Sequence, residues 1–101
     1  MDAPQEAALA AAIEATLRRF DGSLGFKRLR VRVRELGENH RDEVAQFKQL
    51  QRTCRENPDI LAAFAELGLG DLTKANPRAP DAKTGAVIQA FNRFVEKSWE
   101  G

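Results

Sequence analysis

The sequence predicts an all-α protein, a compact bundle of four or five helices. Apolar residues recur at spacings of three and four along most of the chain, and helix-forming residues fill the intervals between clear breaks. One segment alternates as a strand would, and no second strand candidate exists for it to pair with. The 101 residues suit one domain, 1–101, and the 43% hydrophobic and 31% charged content is that of a globular chain. At this length folding removes roughly two-thirds of the unfolded chain's surface from water, enough for one core.

The first helix starts near Pro4, with Asp2 placed to cap it and Leu9, Ile13, Leu17 and Phe20 as its inner stripe. Alanines between these positions favour helix. Asp21, Gly22, Ser23 and Gly25 end it.

The stretch from Phe26 to Leu36 fits two periods. Read at period two, Arg28, Arg30, Arg32 and Arg34 lie on one side and Leu29, Val31 and Val33 on the other. Read at helical spacing, Phe26, Leu29, Val33 and Leu36 form an apolar stripe. Helix is favoured, because Leu, Arg, Lys and Glu dominate the segment and a strand needs a partner for its backbone groups. A strand over 27–34 would have to pair between two copies of the chain.

Gly37 and Asn39 mark the next break, and Asn39 with Asp42 has the spacing of a capping box. The helix that follows, from about Arg41 to Glu56, buries Val44, Phe47, Leu50 and Cys54. Asn57, Pro58 and Asp59 then supply a capping residue, a first-turn proline and a first-turn acid. Ile60, Leu61, Phe64 and Leu67 form the inner face of that short helix, which Gly68 closes. Residues 70–84, broken by Gly70, Asn76, Pro77 and Pro80, read as a mobile loop. The last helix, from about Thr84 to Trp99, carries the broadest stripe: Val87, Ile88, Phe91, Phe94, Val95 and Trp99.

Several function classes find no residues. His40 is the only histidine and Cys54 the only cysteine, so neither a His/Cys zinc site nor a disulfide framework can be assembled within one chain. Nucleophile-elbow, phosphate-loop and dinucleotide motifs are absent from the sequence. Cys54 falls on a buried stripe, where cysteine behaves as a small hydrophobe, and His40 sits between two helices. The expectation is a non-enzyme with no cofactor and no metal. No apolar run approaches the ~20 residues of a membrane span, and acids stand where a secretion signal has bases, so a cytoplasmic location is expected.

One feature rises above this background. Between Arg18 and Arg34 stand seven basic residues against the single acid Asp21, in a chain whose net charge is +1. Arginine's planar fork binds carboxylates and phosphates two bonds at a time. Lys27, Arg28, Arg30, Arg32 and Arg34 are therefore the candidate binding residues. The partner expected first is a protein with an acidic surface, and the second is nucleic acid, read by a regulator that could act as a dimer. Phe94 and Trp99 are the candidates for an apolar partner contact, and spare aromatics leave room for a homo-oligomer.

The order of Lys27 to Arg34, then the helices around Val44–Cys54 and Ile60–Leu67, resembles the ribbon-helix-helix architecture of some DNA-binding dimers. A whole helix before the ribbon and another after the unit depart from that pattern. A helix-turn-helix with its turn at Leu67-Gly68-Leu69 would need a recognition helix that Pro77 and Pro80 cut short.

Overall fold

The computed structural model describes the backbone of residues 3–99 and the side chains of residues 3–97. Five α-helices form among these residues: α1 (Ala3–Phe20), α2 (Leu24–Glu35), α3 (Glu43–Glu56), α4 (Pro58–Phe64) and α5 (Ala82–Trp99). The Cα radius of gyration is 12.6 Å, close to the ~13 Å of a folded chain of about 100 residues. The N-terminal cap expected from Asp2 lies outside the described residues.

The ambiguous segment is a helix. Ser23 adopts an extended conformation ahead of α2, and its hydroxyl accepts the Phe26 N–H at 3.2 Å. Phe26, Leu29 and Val33 turn inward and are buried, as the helical stripe requires. A strand at 27–34 pairing between copies is thereby excluded, and the ribbon-helix-helix order goes with it. Gly37, at a φ of +58°, ends the helix in a conformation that side chains with a Cβ rarely adopt.

The cap of α3 differs from the sequence expectation. Asp42 holds the position, its carboxylate accepting the N–H groups of Val44 and Ala45, while Asn39 belongs to a 3₁₀ turn over Gly37–Asn39. Asn57 also departs from it. Its side chain does not cap α4 but reaches back to donate to the Thr53 carbonyl at 2.9 Å, which closes the end of α3. The Asn57 carbonyl begins α4 by accepting from Ile60 and Leu61.

After α4 the chain makes a wide π turn, Ala65–Leu69, kinked at Gly68, whose φ is +82°. Lys83 donates to the Gly68 carbonyl from α5 at 3.2 Å. Residues 72–74 form one 3₁₀ turn, so no recognition helix follows Leu67-Gly68-Leu69. Within the span read as a loop, Leu72 is buried and the Gln51 amide donates to the carbonyls of Leu72 and Ala75, both at 2.8 Å. α5 starts at Ala82, with the Asp81 carboxylate accepting the Thr84 N–H at 2.8 Å.

The core is one continuous cluster drawn from all five helices and Leu72. α5 lies against α1 and α3, and α3 also carries α2 and α4. Phe26 of α2 sits between Phe20 and Phe94, with ring centroids 6.3 Å from each and an edge-on approach to Phe94. This aromatic bridge seats the inner face of α2 on the bundle and leaves its opposite face outward. No described helix is long and apolar enough to cross a membrane.

Candidate functional site

A helix turns by about 100° per residue, so alternate residues cannot share a face. The four arginines at 28, 30, 32 and 34 therefore fan around α2 instead of forming one row. Arg30 and Arg32 lie at the edges of the buried stripe and are drawn inward. Arg30 Nη2 stands 2.6 Å from Asp21 Oδ1, which ties α2 to the turn before it. Arg32 grips both oxygens of Glu56 at the end of α3, at 2.6 and 3.2 Å. Arg52 approaches the same carboxylate at 3.7 Å. Its two arginines hold the Glu56 carboxyl below the usual carboxylate range, the hydrogen bond from Arg32 contributing most.

Two further bases of the segment are also engaged. Arg18 pairs with Glu14 at 2.6 Å along α1, and the Arg19 guanidinium lies 4.8 Å from the centre of the Phe20 ring. The side chains of Lys27, Arg28 and Arg34 are exposed and, among the described residues, make no ion pair or hydrogen bond. Arg28 adds only its field to that around Glu56.

The outward face of α2 holds a second feature. Leu24 and Val31 are the exposed large hydrophobic residues among those described, at 64% and 51% of full exposure. Seven residues apart, they lie within about 20° of each other around the helix and about 10 Å apart along it. Lys27 and Arg34 flank this pair on one side, Arg28 and Glu35 on the other. An apolar pair edged by Lys27, Arg28 and Arg34, with the acid Glu35 at its far end, thus marks the outer face of α2, and it is the strongest candidate for a functional surface.

The aromatic candidates fare differently. Phe94 is 4% exposed and packed beside Phe91 and Phe26, so it belongs to the core and offers nothing to a partner. All six phenylalanines are buried. The Trp99 side chain lies outside the described residues.

The remaining candidates are Cys54, His40 and a cleft between α1 and α5. Cys54 is buried, and burial pushes its thiol up to about 12, far from the thiolate a nucleophile needs. The His40 ring faces the Gly37 carbonyl through Nδ1 at 2.9 Å and takes an Arg41 N–H through Nε2 at 3.4 Å. Its own carbonyl accepts from the buried Gln46, whose Oε1 in turn accepts from Asn92 of α5 at 3.2 Å. No group of three His, Cys, Asp or Glu side chains converges to hold a metal among the described residues. A cleft of about 550 Å³ lies between α1 and α5, floored by Ala7, Ala10, Gly85 and Ala86. Its polar side chains, Glu6, Gln89 and Arg93, are all exposed, so no buried group is aimed at a ligand.

No protein family, curated protein or solved structure matches the chain. The functional reading therefore rests on the surface of α2.

Proposed function

We propose that the chain is a non-enzymatic adaptor or regulatory module that captures an acidic protein surface through the outer face of α2. One observation carries the reading: Leu24 and Val31 stand exposed in a line, with Lys27, Arg28 and Arg34 beside them unpaired among the described residues. Apolar area gives the affinity of such a contact, and the surrounding charge selects the partner and speeds encounter. Burying Leu24 and Val31 removes apolar surface that folding leaves in water. A reducing cytoplasm, where the lone thiol of Cys54 stays free, is the setting this reading assigns.

The nucleic-acid reading of the same segment draws less support. Arg30 and Arg32, which a phosphate grip would use, are committed to Asp21 and Glu56. Leu24 and Val31 have no role against a phosphate backbone.

The test compares the protein with a variant carrying Lys27→Glu, Arg28→Glu and Arg34→Glu, titrated into a labelled acidic peptide and a labelled DNA duplex at about 50 and 200 mM salt. Peptide binding by the wild type, lost in the variant while its circular dichroism stays helical, is the expected result. Duplex binding tighter than peptide binding would overturn the reading.

A further inference from the structure

From the spacing on α2 we infer that the partner segment is itself an α-helix, laid along α2 with apolar residues seven apart and acids beside them. The inference rests on the reading of α2 as an acidic-partner surface and adds the partner's shape and charge pattern.

The spacing decides the shape. Leu24 and Val31 are about 10 Å apart along α2. An extended peptide repeats its same-face side chains at about 7 and 13 Å, out of step with that interval. A helix repeats at seven residues and matches it. Backbone groups point to the same answer. A docked strand leaves a row of N–H and C=O groups unpaired, and a helix surface has nothing to offer them, since its own backbone groups are bonded internally. A partner helix arrives with its backbone already satisfied.

Charge then fixes the register and disfavours a second copy. The Lys27 and Arg34 flank calls for acids along its whole length. The other flank carries Arg28 near one end and Glu35 near the other, so it calls for an acid followed by a base. Two copies of α2 laid antiparallel would set Lys27 and Arg34 of each against the same bases of the other along one flank, with Arg28 against Glu35 on the other. Self-pairing therefore carries a like-charge cost that an acidic helix avoids. The occupant is a helix with a predominantly acidic face and one base set opposite Glu35.

The experiment uses the full chain and two labelled peptides of identical composition, about 20 residues each. In one, leucines recur every seven residues with glutamates beside them in a helical sequence. In the other the same residues are shuffled so that no seam forms. Anisotropy titrations are repeated with Leu24→Gln and Val31→Gln, exposed positions where the new side chain keeps the helix. The seam peptide is expected to bind about tenfold or more tightly than its shuffled twin, and the double variant to erase that preference without altering the melting curve. Equal binding of the two peptides would overturn the helical partner and leave the acidic-partner reading standing. Binding of neither would overturn both.

Discussion

Gly25 lies so close to Asn57 that a Cβ on it would stand 2.8 Å from Asn57 Nδ2. This approach brings the first turn of α2 against the junction of α3 and α4. Asn57 cannot simply swing away, because the same nitrogen donates to the Thr53 carbonyl and closes α3. Gly25→Ala therefore sets a helix-propensity gain of up to about 1 kcal/mol against overpacking of about 1–3 kcal/mol and a strained hydrogen bond. We expect a net loss of about 1 kcal/mol in urea denaturation. With Asn57→Ala in the background the clash is gone, and the same substitution should become neutral or stabilising. A gain from Gly25→Ala alone would refute the close approach.

Most of this fold was readable from side-chain periodicity, since Ile13, Leu17, Phe26, Leu29, Phe47, Leu50, Phe91 and Phe94 all lie on the stripes that spacing predicts and all are buried. Buried polar side chains were not readable. Gln46, Gln51 and Thr53 share the apolar face of α3, where their spacing says nothing about which distant carbonyl they meet. The surface of α2 was half readable. Alternating arginines suit a strand row and a helix equally in one dimension, and only the helix shows that Arg30 and Arg32 turn inward. At period two Val31 counts with Leu29 and Val33. On a helix it falls off their stripe, and that mismatch was the signal for an exposed apolar residue.

Gln51 tethers the segment between α4 and α5. Its amide is the hydrogen-bond partner of both the Leu72 and Ala75 carbonyls. Gln51→Leu keeps the side chain's bulk and leaves both oxygens without that donor, which should cost about 1–3 kcal/mol. Hydrogen exchange should show where the cost falls. In the wild type we expect slow exchange around Leu72 to Ala75 and faster exchange at the amides of Asn76, Arg78 and Ala79, so that mobility is confined to the second half of the loop. The variant should extend fast exchange back to Leu72. Unchanged protection there would mean that burial of Leu72, not Gln51, holds the segment.

Thr53 presents the opposite case. Its hydroxyl is buried and has no hydrogen-bond partner among the described residues. Val has the same shape without the oxygen, and replacing an unsatisfied polar atom removes a desolvation cost of about 1–3 kcal/mol. Thr53→Val should raise the denaturation midpoint, whereas a clear drop would reveal a partner for the hydroxyl.

Cys54, the next residue, should resist alkylation in the folded protein. Its thiol is buried and pushed up to about 12, so almost none is thiolate at neutral pH. Modification by a maleimide or a disulfide reagent should follow the unfolded fraction as urea is raised. Rapid labelling without denaturant would contradict that burial.

Glu56 predicts the acid limb of stability. Its ordinary value is 4.5, and in the folded chain the hydrogen bond and charge of Arg32, with the fields of Arg52 and Arg28, hold it lower. The folded state therefore binds its proton less readily than the unfolded state, and this contribution to stability is whole above about pH 4.5. It is lost as pH falls through the lower folded value. Asp71 and Asp81 are lowered in the same sense, by hydrogen bonds from Thr73 and Thr84, so the whole protein should lose stability over the acid range. Glu56→Gln removes one share of that slope. Urea midpoints measured from pH 7 to pH 3 should show the wild type ahead of the variant at neutral pH and the two curves converging in acid. The two aspartates act alike in both proteins, so the convergence reports Glu56 alone. Curves that stay parallel would show that the Arg32–Glu56 pair contributes nothing to holding α2 on α3.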